Sequence, residues 1–340
     1  MRKIAVPAGC VLLIVLAAVS AAEPPTPAAE AYAKGQEHLG RRSADDLRAA
    51  VQDFERATAA EATFAPAWAG LAEARALLFD YRGAREAALR GLALDEHLAA
   101  AHAALGFARL HGDWDWAGAE TELRRAVELD PQRAMPRLWY AIVLEVTGRS
   151  EDAVREARKA AELQPKEAPV RAGLGYRLYW ARRYDEAVAE LTAALALDPK
   201  LETAQYFIGR ARVQQGRYPE ARAAFARARE LSPRDFNLRS AEAYLDAVSG
   251  HRKQAETALS ELERLAIREL PFASQAAGLH AVLGHKDSAL EWLERAQFHH
   301  EGAVIWVQVD PRFDSLREEP RFKDLLRRMG LGAAPQRSDG

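Results

Sequence analysis

The densest group of potential metal ligands in the chain is the run His299-His300-Glu301. Imidazole and carboxylate groups bind zinc and related metals. Neighbouring positions of a helix do not face one another, however, so this run would need further ligands from elsewhere in the fold. We therefore interpret it as a solvated loop, and the sequence predicts no metal site.

Acid–base and nucleophilic chemistry have equally little support. The sequence contains no phosphate-binding glycine loop, no His-Glu-x-x-His zinc motif and no Gly-x-Ser-x-Gly nucleophile motif. Paired carboxylates such as Glu151-Asp152 and Asp185-Glu186 fall at predicted helix starts, where acidic side chains complement the helix dipole. We predict no catalytic residues and no cofactor, and keep an enzyme with a groove-located hydrolase site, using His111 or Glu145, as an alternative.

The composition favours a folded, helical protein. The chain has 340 residues, of which 72 are Ala, the residue with the highest helix propensity. Its net charge is −2, from 47 basic and 49 acidic residues, which provides no strong attraction to nucleic acid. The single cysteine, Cys10, excludes an internal disulfide framework and a cysteine-based metal cluster.

The N-terminus has the organisation of a secretory signal. Arg2 and Lys3 precede an apolar run over residues 4–22, which ends in small residues before a Pro-rich exit. We predict a signal peptide over residues 1–22, and hence a periplasmic or secreted protein. The alternative is an inner-membrane anchor, because a helix of roughly 20 apolar residues spans a bilayer. Lipid attachment at Cys10 is weaker, since a proline stands where the motif expects an aliphatic residue.

The elements that would position a binding site repeat along the chain. Pro131, Pro165, Pro199 and Pro233 follow one another at intervals of 34 residues, and glycine recurs with the same period, except that Arg182 replaces it once. Small residues allow two helices to cross closely, and proline ends a helix because the residue before it disfavours helical angles. Such hairpins bury their apolar faces only by stacking on one another.

This pattern resembles the tetratricopeptide repeat (TPR) family, which carries small residues at positions 8, 20 and 27, large ones at position 24 and proline at position 32. Position 8 of successive units holds Ala72, Gly106, Ala141, Gly175, Gly209, Ala243 and Ala277. Residues 113–131 and 309–331 are similar to the TPR arrays that some bacterial signalling proteins append to effector domains. The resemblance implies an all-α, right-handed α-α superhelical solenoid of about eight helical hairpins with a C-terminal capping segment.

Five regions follow from this register. We predict a signal peptide or anchor at 1–22, a Pro-rich linker at 23–29, the TPR solenoid at 30–303, a C-terminal cap at 304–331 and a flexible tail at 332–340.

The register also predicts which residues of each first helix face the concave groove. Aromatic anchors with a few polar groups among them suit a peptide-binding surface, although some of these rings could instead pack against the next helix. The predicted groove residues are Phe107, Leu138, Ile142, Tyr176, Tyr179, Trp180, Tyr206, Arg210 and Tyr244.

We therefore expect a non-catalytic, exported TPR scaffold of bacterial origin that binds a protein or peptide partner in its concave groove. It would bind no nucleic acid, and it would contact a membrane only if its N-terminal segment is not cleaved. In that case the alternative function is a membrane-tethered envelope assembly factor.

Overall fold

The computed structural model describes residues 25–233, 235–268 and 272–332. These residues form helices and no strand, and the helices pair into eight antiparallel hairpins stacked as a right-handed superhelical solenoid, which confirms the predicted fold class. The hairpins are α1 (Pro27–Arg41) with α2 (Ala44–Ala60), α3 (Ala65–Leu77) with α4 (Tyr81–Leu94), α5 (Ala99–Ala108) with α6 (Trp116–Leu129), α7 (Ala134–Val146) with α8 (Ser150–Leu163), α9 (Ala168–Trp180) with α10 (Tyr184–Leu197), α11 (Glu202–Gln214) with α12 (Tyr218–Leu231), α13 (Phe236–Val248) with α14 (Arg252–Arg268), and α15 (Ala273–Leu283) with α16 (Lys286–Phe298).

The first helix begins earlier than predicted, so the linker prediction for residues 23–29 is wrong over its last three residues. The Thr26 side chain accepts a hydrogen bond from the backbone N–H of Ala29 at 3.2 Å, and Pro27 occupies the first turn. Proline suits that position because its missing N–H would have no helical partner there. The predicted signal at 1–22 and most of the predicted tail lie outside the described residues. Within the described part of the chain, no helix has the length and apolar character needed to cross a membrane.

Small residues at position 8 let the two helices of a hairpin cross closely. A Cβ atom added to Gly209 would lie 2.3 Å from the ring of Phe225, and one added to Gly175 would lie 2.6 Å from Leu191. The large residue at position 24 therefore fills the space that the small residue leaves. This interlock accounts for the 34-residue alternation of small and large residues.

The third hairpin departs from this regularity. Its first helix continues into a π-helical turn at Arg109–Asp113, and Trp114 then takes a left-handed conformation with φ of 54°. First helices begin at Ala99 and Ala134, so the third unit has one residue more than the 34-residue period, and the π-helical turn absorbs it. As a result, the side chains of Trp114 and Trp116 face residues of the C-terminal part of the chain.

Residues 302–331, here called the C-terminal segment, follow the eighth hairpin as two 3₁₀ turns, Gly302–Trp306 and Pro311–Leu316, and a last helix α17 (Pro320–Arg328). The segment packs against the third hairpin as well as against the last one. Its buried apolar side chains share one cluster with Leu105 and Leu123 of the third hairpin and with Leu293 of the eighth. These side chains are Val304, Ile305, Val307, Phe313, Leu316, Phe322, Leu325, Leu326, Met329 and Leu331.

Polar contacts fix the same arrangement. The indole N–H of Trp116 donates to the carbonyl oxygen of Met329 at 2.6 Å, across 213 positions of sequence. Arg182 donates through both terminal nitrogens to the two carboxylate oxygens of Asp314, at 2.6 and 2.7 Å. The C-terminal segment therefore connects hairpins that are far apart in the stack.

Truncating a buried ring of this segment should destabilise the array. Phe322 is 1% exposed, whereas Phe298, at the end of α16, is 80% exposed. We expect Phe322→Ala to lower the free energy of unfolding by roughly 3–5 kcal/mol, because it leaves a cavity in the cluster that joins the third and eighth hairpins. Phe298→Ala, the matched control, should change it by less than about 0.5 kcal/mol. Thermal unfolding followed by circular dichroism at 222 nm measures both, and equal midpoints would contradict this role for the segment.

Candidate functional site

A cavity of about 290 Å³ lies between the first helices of the fifth and sixth hairpins and the C-terminal segment. We call it the groove cavity. Its walls combine aromatic rings with arginine and amide groups. The lining residues are Tyr176, Arg177, Trp180, Tyr206, Phe207, Arg210, Asn237, Gln275, Ala303, Trp306, Asp310 and Arg312.

Helical spacing explains how the array contributes to these walls. Tyr176 and Trp180 are four residues apart on α9, and Tyr206 and Arg210 are four apart on α11, so each pair shares one helix face. The two helices pack side by side, and the rings of Tyr176 and Phe207 lie with centroids 4.5 Å apart. The indole of Trp306 closes the cavity from the other side, nearly parallel to that of Trp180 at 6.1 Å.

Arg210 is a largely buried cation of the site, with 9% of its surface exposed. Its guanidinium carbon lies 4.7 Å from the ring centre of Tyr179 and 4.8 Å from that of Trp180, with Tyr206 and Phe207 at 5.6 and 5.5 Å. Ring faces attract a cation at this range and partly replace the water it has lost.

Asp310 is the carboxylate that faces Arg210. One terminal nitrogen of Arg210 donates to both carboxylate oxygens at 3.3 Å. Arg312 Nε donates to Asp310 Oδ2 at 2.9 Å, and Arg312 Nη2 lies 2.7 Å from the same oxygen. Burial alone would raise the pKa of Asp310, but the charges of Arg312 and Arg210 outweigh that effect and hold its pKa below the usual value. Asp310 is therefore an anion shared by two arginines.

Glu145 lies behind the cavity wall and is completely buried. It accepts hydrogen bonds from Arg177 Nε at 2.8 Å and from the indole N–H of Trp306 at 2.9 Å. Burial raises the pKa of Glu145 to about 7, and the charge of Arg177 offsets only part of that increase. Trp306 thus ties the C-terminal segment to the fourth and fifth hairpins at one carboxylate.

His111 is a second buried titratable group in the same region. Its ring packs against Phe107 at 4.5 Å and Tyr81 at 5.5 Å, and lies 6.2 Å from Trp306. Its Nε2 atom has no hydrogen-bond partner among the described residues. Burial lowers the pKa of His111 to about 4, so the ring is neutral near pH 7.

The structure brings together only part of the predicted groove. Tyr176, Trp180, Tyr206 and Arg210 line the groove cavity, and Tyr244 lines a smaller recess beside it with Tyr206, Arg210 and Arg312. Tyr179 is 1% exposed, beneath Arg210, so its ring is a support and not a free contact surface.

The remaining predicted groove residues, Phe107, Leu138 and Ile142, pack within the array. Phe107 lies against Trp139, with ring centroids 4.5 Å apart, and Leu138 packs beside Gly173 of the next first helix. Ile142 is half-buried against the cluster that contains the C-terminal segment. These side chains fill the hairpin interfaces, which was the alternative that the sequence left open.

Four of the eight lining residues that the sequence missed come from outside the repeat register. Trp306, Asp310 and Arg312 belong to the C-terminal segment, and no periodic signal relates them to the fifth and sixth hairpins. Arg177 and Phe207 directly follow the predicted Tyr176 and Tyr206 on α9 and α11, and the other two, Asn237 and Gln275, lie in the first turns of α13 and α15. The sequence could have indicated Arg177 and Phe207 only if the predicted groove face of each first helix had been taken as wider.

The interpretation of residues 299–301 as a solvated loop is wrong for Glu301. That side chain is 6% exposed and accepts hydrogen bonds from the backbone N–H and the hydroxyl of Ser274, at 3.0 and 2.8 Å. It thereby satisfies donors at the start of α15. The ring of His300 stacks on Trp114 at 4.1 Å. Across the part of the chain that the structure describes, no three His, Cys, Asp or Glu side chains are grouped closely enough to hold a metal.

Glu145 and His111 should make opposite contributions to the pH dependence of stability. The pKa of Glu145 rises from 4.5 to about 7 on folding, so the folded state binds more protons and its stability falls as the pH rises through that interval. The pKa of His111 falls from 6.5 to about 4, so its contribution rises with pH over that interval. Each effect is on the order of 3 kcal/mol.

Urea unfolding of the unaltered protein and of each variant from pH 4 to 7.5 tests this. The stability difference between the unaltered protein and Glu145→Gln should fall with rising pH, and the difference from His111→Asn should rise. Titratable groups that all three proteins share contribute equally to each stability, so their contributions cancel in these differences. Slopes of the same sign would contradict the assignment.

A family model of the tetratricopeptide repeat matches residues 115–168 and 173–236. Among solved structures, the APC/C hetero-tetramer Cut9–Hcn1 is similar over 64% of this chain and 46% of that chain, with 17% identity and a TM-score of 0.52. TTC0263, a thermophilic TPR protein of Thermus thermophilus, shares 21% identity over 55% of this chain and 99% of that chain, with a TM-score of 0.47. YrrB, a TPR protein with an unusual peptide-binding site, shares 19% identity over 54% and 94%, with a TM-score of 0.41. A search of curated protein sequences finds no match. The family match identifies residues 115–168 and 173–236 as tetratricopeptide repeats, and the described helices outside these ranges continue the same stack of hairpins.

Proposed function

We propose that this chain is a non-catalytic interaction scaffold that binds a polypeptide partner in its concave groove, at the groove cavity. Tetratricopeptide repeat proteins generally bind protein or peptide partners. The observation that carries the proposal for this chain is the composition of the cavity wall. Half-buried rings of Tyr176, Tyr206 and Trp306 stand beside the amides of Asn237 and Gln275. Rings can bury an inserted side chain. Gln275 donates to the Asn237 oxygen at 2.7 Å, and the exposed amide of Asn237 keeps its NH₂ group for a peptide carbonyl.

The state of the ionisable groups favours binding over catalysis. The carboxylate of Glu145 accepts hydrogen bonds from Arg177 and Trp306, and that of Asp310 forms ion pairs with Arg210 and Arg312. A general base must reach the proton that it removes, whereas these carboxylates are buried behind their own partners. The groups that line the cavity are thus suited to hold a ligand in place.

Removing one wall of the cavity should weaken peptide binding. A peptide is first selected on the purified full chain from a phage-displayed library of random peptides. We expect Tyr206→Ala to weaken its binding about tenfold or more, because an aromatic contact in a binding pocket contributes roughly 1.5–3 kcal/mol. Tyr218→Ala is the matched control, since Tyr218 is also half-buried but lies on the outer helix α12, away from the cavity.

Fluorescence anisotropy of the labelled peptide gives both dissociation constants, with circular dichroism as a check on folding. If no peptide is selected, or if the two variants bind the selected peptide equally, the groove assignment fails.

We further propose that the protein works outside the bacterial cytoplasm, in the periplasm or secreted. Support comes from the charge and apolar pattern of residues 1–22, which lie outside the described residues. N-terminal sequencing of protein from its native host should show a start at Ala22 or Glu23. A protein that keeps Arg2 and Lys3 and sediments with membranes would instead favour the tethered assembly factor.

A further inference from the structure

The arginines of the groove cavity outnumber the carboxylates in direct contact with them. Three arginines line it, Arg177, Arg210 and Arg312. Two carboxylates contact them: Glu145 pairs with Arg177, and Asp310 is shared by Arg210 and Arg312. Glu301 interacts with Arg312 only at longer range, so three arginines share two carboxylates at ion-pair distance, and this excess grows when Glu145 is protonated.

The excess charge is concentrated on Arg210. A guanidinium group has five N–H donors. Among the described residues, Arg210 donates only through Nη2, and both of those contacts, to the oxygens of Asp310, are 3.3 Å long. Arg312 holds the same carboxylate at 2.7 and 2.9 Å. Asp310 is thus bound chiefly by Arg312, and most of the donor capacity of Arg210 is not used by the chain.

Arg210 also has little water to replace those bonds. Only 9% of its surface is exposed, and four aromatic rings lie within 4.7–5.6 Å of its guanidinium carbon. Aromatic faces compensate a buried cation only in part, and a buried charge without a full counter-charge is costly. The 290 Å³ groove cavity gives an anion from outside the chain access to this charge.

The geometry around Arg210 favours a planar anion. Rings cover the guanidinium, so a ligand approaches along its edge, and a carboxylate pairs edge to edge with a guanidinium through two parallel hydrogen bonds. The half-buried rings of Tyr206, Phe207 and Trp306 beside it can contact the aliphatic part of such a side chain. Arg312 completes the site from the C-terminal segment.

We infer that the groove cavity is a receptor for an acidic side chain of the bound polypeptide, with Arg210 and Arg312 binding the carboxylate of an Asp or Glu residue. The inference rests on the proposed function, since it names the kind of partner that the groove takes. It also gives the C-terminal segment a part in specificity, because the array alone supplies only one of the two arginines.

The test compares acidic residues with their neutral isosteres. Pools of acetylated decapeptides, each with one position fixed as Glu, Gln, Asp or Asn and the others random, are bound to the immobilised full chain and quantified by mass spectrometry. We expect one position at which the acidic residue is retained about tenfold over its amide, the effect of one charge-assisted bidentate contact. Raising the salt concentration should reduce this preference.

Two variants and a matched control assign the preference to the cavity. Arg312→Gln should abolish the preference for acid. Asp310→Asn should increase it, since it removes the competing carboxylate and keeps an oxygen that can accept the backbone N–H of Arg312. Arg158→Gln makes the same charge change as the first variant at a half-exposed ion pair with Glu186, between α8 and α10 and outside the cavity, and should leave the preference unchanged.

The outcomes separate this inference from the proposed function. Peptides that bind without a preference for acid, or a preference that survives in folded Arg312→Gln, would overturn the inference and leave the peptide groove in place. If Arg312→Gln does not fold, an unchanged preference in Asp310→Asn would overturn it equally. If the unaltered chain retains no peptide of any pool, the proposed function fails, and the inference fails with it.

Discussion

Burial of the C-terminal segment between the third and eighth hairpins is the interaction on which the rest of the structure depends. A stack of hairpins is normally held by contacts between neighbours, so its stability approximates a sum over units and their interfaces. Here Leu325 and Met329 share one apolar cluster with residues of both distant hairpins, and Trp116 bonds the Met329 carbonyl across the gap. The curvature of the superhelix is therefore tied to one segment that is not part of the repeat.

The same segment determines the electrostatics of the groove. Buried charges need partners, and the array does not supply enough of them for its own arginines. Trp306 donates to Glu145, and Asp310 provides the carboxylate that Arg210 contacts. Without these groups Arg210 would face the groove with aromatic rings as its only contacts. The segment thus makes a buried, partly compensated cation possible at the centre of the concave face.

The sequence predicts the repeated part of this molecule well and the site only in part, for one physical reason. Packing within a hairpin is local, since Gly209 contacts Phe225 only sixteen residues away. Other units place a small and a larger residue at the same two positions, so the period of the sequence reveals this contact. The contacts of the cavity are not local. Arg210 and Asp310 are 100 positions apart, and Asp310 occurs in a segment that has no counterpart in other units. The register predicts the direction in which the Leu138 side chain points, and this placed it in the groove. The register does not predict that the next first helix covers this side chain.

The irregularities of the repeat nevertheless mark where the segment lies. Arg182 has a φ of 63° where four other units place glycine, which costs about 1–2 kcal/mol of backbone strain, and its side chain reaches Asp314 of the segment. The π-helical turn at Arg109–Asp113 precedes Trp114 and Trp116, which contact residues beyond the eighth hairpin. Contacts between neighbouring hairpins do not require the π-helical turn, since the other described hairpins have none. These two departures from the period, at Arg182 and in the third hairpin, are therefore places where the array contacts the C-terminal segment that completes the groove cavity.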